Sequence, residues 1–243
     1  TAVIAVGVIA GGAAWYAFSY LPAQIRGEID ATIASLKPRV TIAYASVDID
    51  IFDRVAVFTD VTVTDETGGA SATVSLLTVS SGEDEDKFDA RLESVSVTYG
   101  KTPVKNFLAS VIGLEGLSID PVTDTKLSAG SSAGLDFLRR IGLRKLTIRK
   151  VQDKDKKFTV ENAVLEDLSQ SRFANASVSG IYGKDPKQDI EFSVADFTAA
   201  NVDIIRTATL PRTFRGQPDW SKLDIGKISV AQFRLKNKEV SIK

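Results

Sequence analysis

The chain offers few side chains for chemistry. Its 243 residues contain no His and no Cys. That removes Ser-His-Asp and Cys-His catalysis, thiolate nucleophiles, Cys-ligated zinc and iron–sulfur clusters. Carboxylates, ammonium and guanidinium groups and hydroxyls remain. Asp48, Asp50 and Asp53 lie close enough in sequence to be weighed for acid–base work. However, Asp48 and Asp50 alternate with Val47, Ile49 and Ile51, which sends the two carboxylates to the solvent side of a strand. Glu83-Asp84-Glu85-Asp86 is an unbroken acidic run. Calcium loops instead space their ligands around a turn glycine, so an exposed loop is expected here. Gly113 and Gly116 lack the Lys and Ser context of a phosphate loop. The expectation is a non-enzymatic protein with no catalytic residue, no metal site and no cofactor.

Charge is balanced overall but uneven along the chain. Lys plus Arg is 30, Asp plus Glu is 31, and the net charge is −1. Residues 48–93 hold twelve acidic residues against Arg54, Lys87 and Arg91, while residues 139–157 hold nine basic residues against Asp153 and Asp155. Arg139, Arg140, Arg144, Lys145, Arg149 and Lys150 form the candidate patch for anionic headgroups or an acidic partner. The bland alternative is a solvated strand face with a hairpin turn at Asp153–Lys157. With no basic excess and no aromatic-interleaved basic platform, nucleic acid is not an expected partner.

The elements that must position these residues begin with an uncharged stretch. No charged residue precedes Arg26, and residues 2–21 are almost all apolar or small. Twenty helical residues span about 30 Å, the thickness of a bilayer core. Trp15, Tyr16 and Tyr20 gather at the end of the run, as a membrane-interface belt would. Residues 1–21 therefore read as a transmembrane helix, with a secretory signal peptide as the competing reading. Gly7 with Gly11, and Ala10 with Ala14, form a small-residue face suited to close helix packing in lipid. The expected partners are membrane lipid and a membrane protein, or a second copy joined through that helix. The absence of Met places the expected translation start upstream of Thr1. The flank after the span mixes Arg26 with Glu28 and Asp30, which favours a body outside the cytoplasm.

Residues 22–38 read as an amphipathic connecting helix, with Ile25, Ile29, Ile33 and Leu36 on one stripe between Pro22 and Pro38. From Val40 the apolar period becomes two, which predicts antiparallel strands separated by Gly- and Asp-rich turns. The expected fold class is mainly β, a β-rich α+β chain, with the N-terminal transmembrane helix followed by antiparallel-sheet repeats and a few short helices. One such helix is expected after Thr102 and Pro103, with Val104, Phe107, Leu108, Val111 and Ile112 on its apolar face. Residues 94–103 and 177–186 match at seven of ten positions, which suggests a duplicated module. The Ser- and Gly-rich stretch 128–134 would separate halves at 39–127 and 135–243.

The span at 2–21, the stretch LRRIGLRKLTIRKVQDKDKKFTVENAVLEDL at 138–168 and IGKISVAQFRLKN at 225–237 resemble AsmA-like and YdgA-like envelope proteins of Gram-negative bacteria. The resemblance covers about half of the chain. It implies a single-span protein with a β-rich periplasmic body and lipid or membrane-assembly work, and it carries over no functional residue. The function expected from these readings is a membrane-anchored accessory or scaffold subunit. The alternative is a lipid-binding or lipid-transfer module with an apolar groove in its sheet.

Overall fold

The computed structural model describes residues 30, 33–34, 40–65, 69–82, 84, 87–99, 105–119, 141–185, 190–203, 219, 226–236 and 241–242. Of these, 84% lie in strands, which makes the fold mainly β. The strands are β1 (Val40–Ala43), β2 (Ser46–Asp50), β3 (Val55–Asp65), β4 (Ala70–Ser81), β5 (Phe88–Tyr99), β6 (Lys105–Ile119), β7 (Ile141–Asp153), β8 (Phe158–Ser169), β9 (Arg172–Asp185), β10 (Ile190–Asp203), β11 (Lys227–Ala231), β12 (Arg234–Lys236) and β13 (Ser241–Ile242). All belong to one antiparallel sheet in which β3 to β10 follow each other in chain order. At one edge β1 and β2 both pair with β3, and at the other β11 and β12 both pair with β10. Each of those two pairs is one strand interrupted once, because its two pieces keep a common register against their neighbour.

The interruption belongs to a line that crosses the whole sheet. Asp60 and Ser75 fall between the pairs Thr59↔Leu76 and Val61↔Val74. Following the registers outward, the line passes through Ala45, Asp60, Ser75, Ser94, Ser110, Lys150, Glu161, Gly180, Ala195 and Gln232. On every second strand the residue on this line has positive φ: Asp60 (49°), Ser94 (52°), Lys150 (52°), Gly180 (63°) and Gln232 (51°). A second line runs through Gly116, Arg144, Asp167, Ala174 and Asn201. It again has positive φ on alternate strands, at Gly116 (62°), Asp167 (54°) and Asn201 (53°). Left-handed residues inside strands bend the strand and increase its twist. Stacked in register they bend the sheet along two creases. At Gly116 the disturbed ladder is repaired locally, since its N–H donates to Asp89 Oδ1 at 2.7 Å.

Each crease also shifts the side-chain alternation, so the strand keeps one face apolar on both sides of it. Inward residues step by two within a panel and by three across a crease. On β3 they are Ala56, Phe58, Val61 and Val63, all buried. On β6 they are Phe107, Ala109, Ile112, Leu114 and Leu117, and on β7 Ile141, Leu143, Leu146, Ile148 and Val151. The core lies on this face, with Leu77, Leu92 and Leu117 each at 0% exposure. Burying one such leucine contributes about 2 kcal/mol. Ile33, Val40, Ile42 and Tyr44 pack against the same core. Tyr44 meets Phe58 edge-on at 5.5 Å and donates its hydroxyl to Asp30 Oδ1 at 2.8 Å.

Four expectations need correction or placing. The short helix after Thr102 is a strand: β6 begins at Lys105 and runs unbroken through Ile112. The halves at 39–127 and 135–243 contribute to one sheet, joined where β6 pairs with β7 along Phe107↔Asp153 to Ile119↔Ile141. The proposed transmembrane helix at 1–21 lies outside the described residues. Of the connecting helix at 22–38, residues 30, 33 and 34 are described and are helical.

Candidate functional site

The inward face forms a continuous apolar track from the first edge strand to the last. It contains Val47 and Ile49 on β2, Leu165 and Leu168 on β8, Val178 and Ile181 on β9, and Phe192, Val194 and Phe197 on β10. On β11 and just after it, Ile228, Val230 and Phe233 continue the track. The opposite face is mainly polar. On β9 it presents Arg172, Asn175, Ser177, Ser179 and Lys184, the last paired with Glu191 at 2.6 Å.

The track is not filled. A cavity of about 240 Å³ opens on it between β5, β6 and β7, lined by Val95, Val97, Phe107, Ala109, Ile112, Leu114, Leu146, Ile148 and Val151. Tyr99 and Phe107 stack at its end, with ring centroids 5.8 Å apart and planes 12° apart. Tyr99 is 40% exposed, so this end meets solvent. The lining offers dispersion and desolvation but no charged group, which suits an apolar occupant. A second depression, about 380 Å³, is bordered by Glu166, Asn175, Ser177, Thr198, Lys227 and Ser229 on the polar face.

The charged residues of interest lie away from this track. Arg139 and Arg140 fall outside the described residues. Lys145 and Arg149 project to the polar face between the creases, while Arg144 and Lys150 stand on the creases themselves. Arg144 approaches Glu115 at 3.6 Å, and Lys145 lies opposite Glu115 on one side and Glu166 on the other. The basic run is therefore interleaved with carboxylates from both neighbouring strands. Asp153 to Lys157 form the β7–β8 turn, closed by Phe158 N–H donating to Asp153 Oδ1 at 2.9 Å. There a hydrogen bond from Lys157, then its charge, holds Asp155 below its ordinary value, and the same bond raises Lys157. Both side chains are exposed. Asp48 and Asp50 are exposed, and Asp50 Oδ1 accepts the N–H groups of Phe52 (2.9 Å) and Asp53 (3.0 Å), a turn-forming role. Asp84 pairs with Lys87, whose hydrogen bond and then charge lower its pKa.

Among the described residues no group of three or more Asp or Glu side chains is placed to hold a metal ion, and no helix is long and apolar enough to cross a membrane. Gly7, Ala10, Gly11, Ala14, Trp15, Tyr16 and Tyr20 all lie outside those residues. The apolar track escaped residue-by-residue reading, although its signal is present: apolar positions stepping by two and by three in strand after strand. Comparison of the chain with protein-family models and with characterised proteins finds no match.

Proposed function

We propose that this protein is a non-enzymatic lipid-handling module that holds acyl chains along the apolar face of its sheet. The observation that carries this reading is the uninterrupted apolar track with an open cavity at β5–β7. From β5 to β11 the track covers seven strand positions, which at about 4.8 Å spacing gives roughly 29 Å. One leaflet's acyl chains occupy only about half of a ~30 Å bilayer core, so the track has room for a whole lipid tail. Water on such a face is costly, and an acyl chain would replace it at about 0.8 kcal/mol per buried CH₂. In this proposal the apolar stretch at 2–21 tethers the module to a membrane, with the body in the periplasm, in keeping with the resemblance to AsmA-like and YdgA-like proteins. The scaffold reading is supported by the half-exposed Ile228, Val230 and Phe233, which offer a partner surface.

The test is mass spectrometry of organic extracts from the purified full chain, paired with titration of a fluorescent fatty acid. Co-purifying lipid is expected, and Ile148→Arg, which sets a guanidinium in the cavity wall, should weaken fatty-acid binding at least tenfold. Extracts without lipid, together with no saturable fatty-acid binding, would overturn the proposal.

A further inference from the structure

We propose that the last edge of the sheet, from β11 to β12, docks on an anionic membrane surface. Among the described residues six large apolar side chains are exposed, and three of them, Ile228 (47%), Val230 (50%) and Phe233 (54%), stand within six residues on this edge. They share the apolar face. Ile228 lies opposite Ala199, Val230 opposite Phe197 and Leu235 opposite Phe192, and the step of three at left-handed Gln232 keeps Phe233 on the same side. The first edge is closed by contrast: Val47 is 6% exposed, and Ile33, Val40 and Ile42 pack against the core. A contiguous apolar patch open to water marks an interaction site. β13 pairs with Leu235 and Lys236 along the outer side of β12. The contact therefore uses the side chains of the edge and requires no unpaired backbone.

Charge selects the occupant. Residues 226–236 carry Lys227, Arg234 and Lys236 and no acid, and all three cations are exposed. They alternate to the polar side of the strand while the apolar row takes the other. The acids nearest them stand one strand in, on β10: Glu191, opposite Lys236 and bonded to Lys184 at 2.6 Å, and Asp196, opposite Ala231. With Lys184, the cations outnumber these two carboxylates. An apolar row on one side with lysine and arginine on the other is the make-up of an amphipathic element at a membrane interface. There the apolar side chains enter the acyl boundary and the cations reach back to the phosphates. An anionic leaflet adds attraction for each cation near its surface. Phosphates surround an inserted edge on both sides, whereas a flat protein surface would meet the apolar row or the cations but not both. The docking needs no lipid in the cavity; where lipid is held, this edge is the place at which the track meets its source.

The chain has no cysteine, so one introduced thiol carries one fluorophore. Val230→Cys places an environment-sensitive label on the apolar row, and Thr73→Cys, exposed on β4, serves as control. The full chain would be reconstituted in vesicles of phosphatidylcholine, alone or mixed with phosphatidylglycerol, with a nitroxide on the acyl chains as quencher. The apolar stretch at 2–21 would hold both labels near either bilayer, so attachment alone does not produce a contrast between them. With phosphatidylglycerol, quenching of the Val230→Cys label is expected to exceed that of the Thr73→Cys label at least threefold, and to weaken in high salt. Lys227→Glu with Arg234→Glu and Lys236→Glu should bring it down to the control level with circular dichroism unchanged. Equal quenching of the two labels, or quenching that survives both high salt and the triple variant, would overturn the proposal. A blue shift without vesicles that grows with protein concentration would assign the edge to a second copy and overturn it as well. So would equally deep quenching by a monomeric nitroxide fatty acid without vesicles, which would place a held lipid beside the edge instead of a bilayer. The Ile148→Arg chain, with its cavity wall blocked, should dock unchanged, so the docking and the lipid proposal fail separately.

Discussion

A left-handed backbone costs a residue with a Cβ about 1–2 kcal/mol and costs glycine almost nothing. The first crease uses that conformation at Asp60, Ser94, Lys150, Gly180 and Gln232, so four of its five left-handed positions carry strain. The strain persists because the neighbouring strands fix each residue in register. Lys150 has no local bond that favours this conformation in the way an Asp or Asn side chain does. Lys150→Gly is therefore expected to stabilise the fold by about 0.5–1 kcal/mol, the relief less the added unfolded-state entropy. Gly180→Val runs the other way. Its Cβ would stand 2.7 Å from Glu161 Cβ at a φ of 63°, and a loss of at least ~2 kcal/mol is expected. Chemical denaturation of the two variants checks both signs. Equal midpoints for Lys150→Gly and the parent would mean that the crease carries no strain at that position.

At the scale of the element, the strand periodicity marks most of β2 to β10 within a few residues, because apolar–polar alternation is the imprint of a strand with one face buried and one in water. β6 was the exception for a physical reason. A strand that crosses two creases places inward residues at Phe107, Ala109, Ile112, Leu114 and Leu117, and its steps of three imitate a helix. Thr102 and Pro103 then supply the residues of a helix cap. The same steps hid the candidate site, since the track exists only when strands far apart in sequence are laid in register. The 94–103 and 177–186 match marks the ends of β5 and β9, yet the crease falls at Ser94 in one and Gly180 in the other. What repeats in the structure is the single strand with its inward spacing. Burial along the track makes a contrast that can be measured. Leu92, at 0% exposure, is expected to lose 2–5 kcal/mol on change to Ala. Val230→Ala, at 50% exposure, should cost less than ~1 kcal/mol in the isolated chain. Urea midpoints that fell equally for the two would contradict the gradient.

For the whole molecule, that gradient decides where an occupant would be felt. β3 and β4 hold side chains that are already fully buried, Leu77 and Val79 at 0%, and an added acyl chain has no further surface to cover there. The cavity between β5, β6 and β7 and the half-buried faces of β9 and β10 do have such surface. A ligand that binds only the folded state at 100 times its dissociation constant adds about 2.7 kcal/mol, and at this chain length each kcal/mol moves the melting temperature by roughly 2–4 °C. Delipidated protein is therefore expected to melt about 5–10 °C below the lipid-loaded form, and re-addition of fatty acid should restore the difference. Hydrogen exchange locates the effect: protection should rise at Phe107–Leu114 and Leu146–Val151 and stay unchanged at Ala72–Val79. A uniform rise across all strands would point to general stabilisation by detergent-like adsorption, because adsorbed amphiphile has no reason to respect the boundary between the filled and unfilled parts of one apolar face.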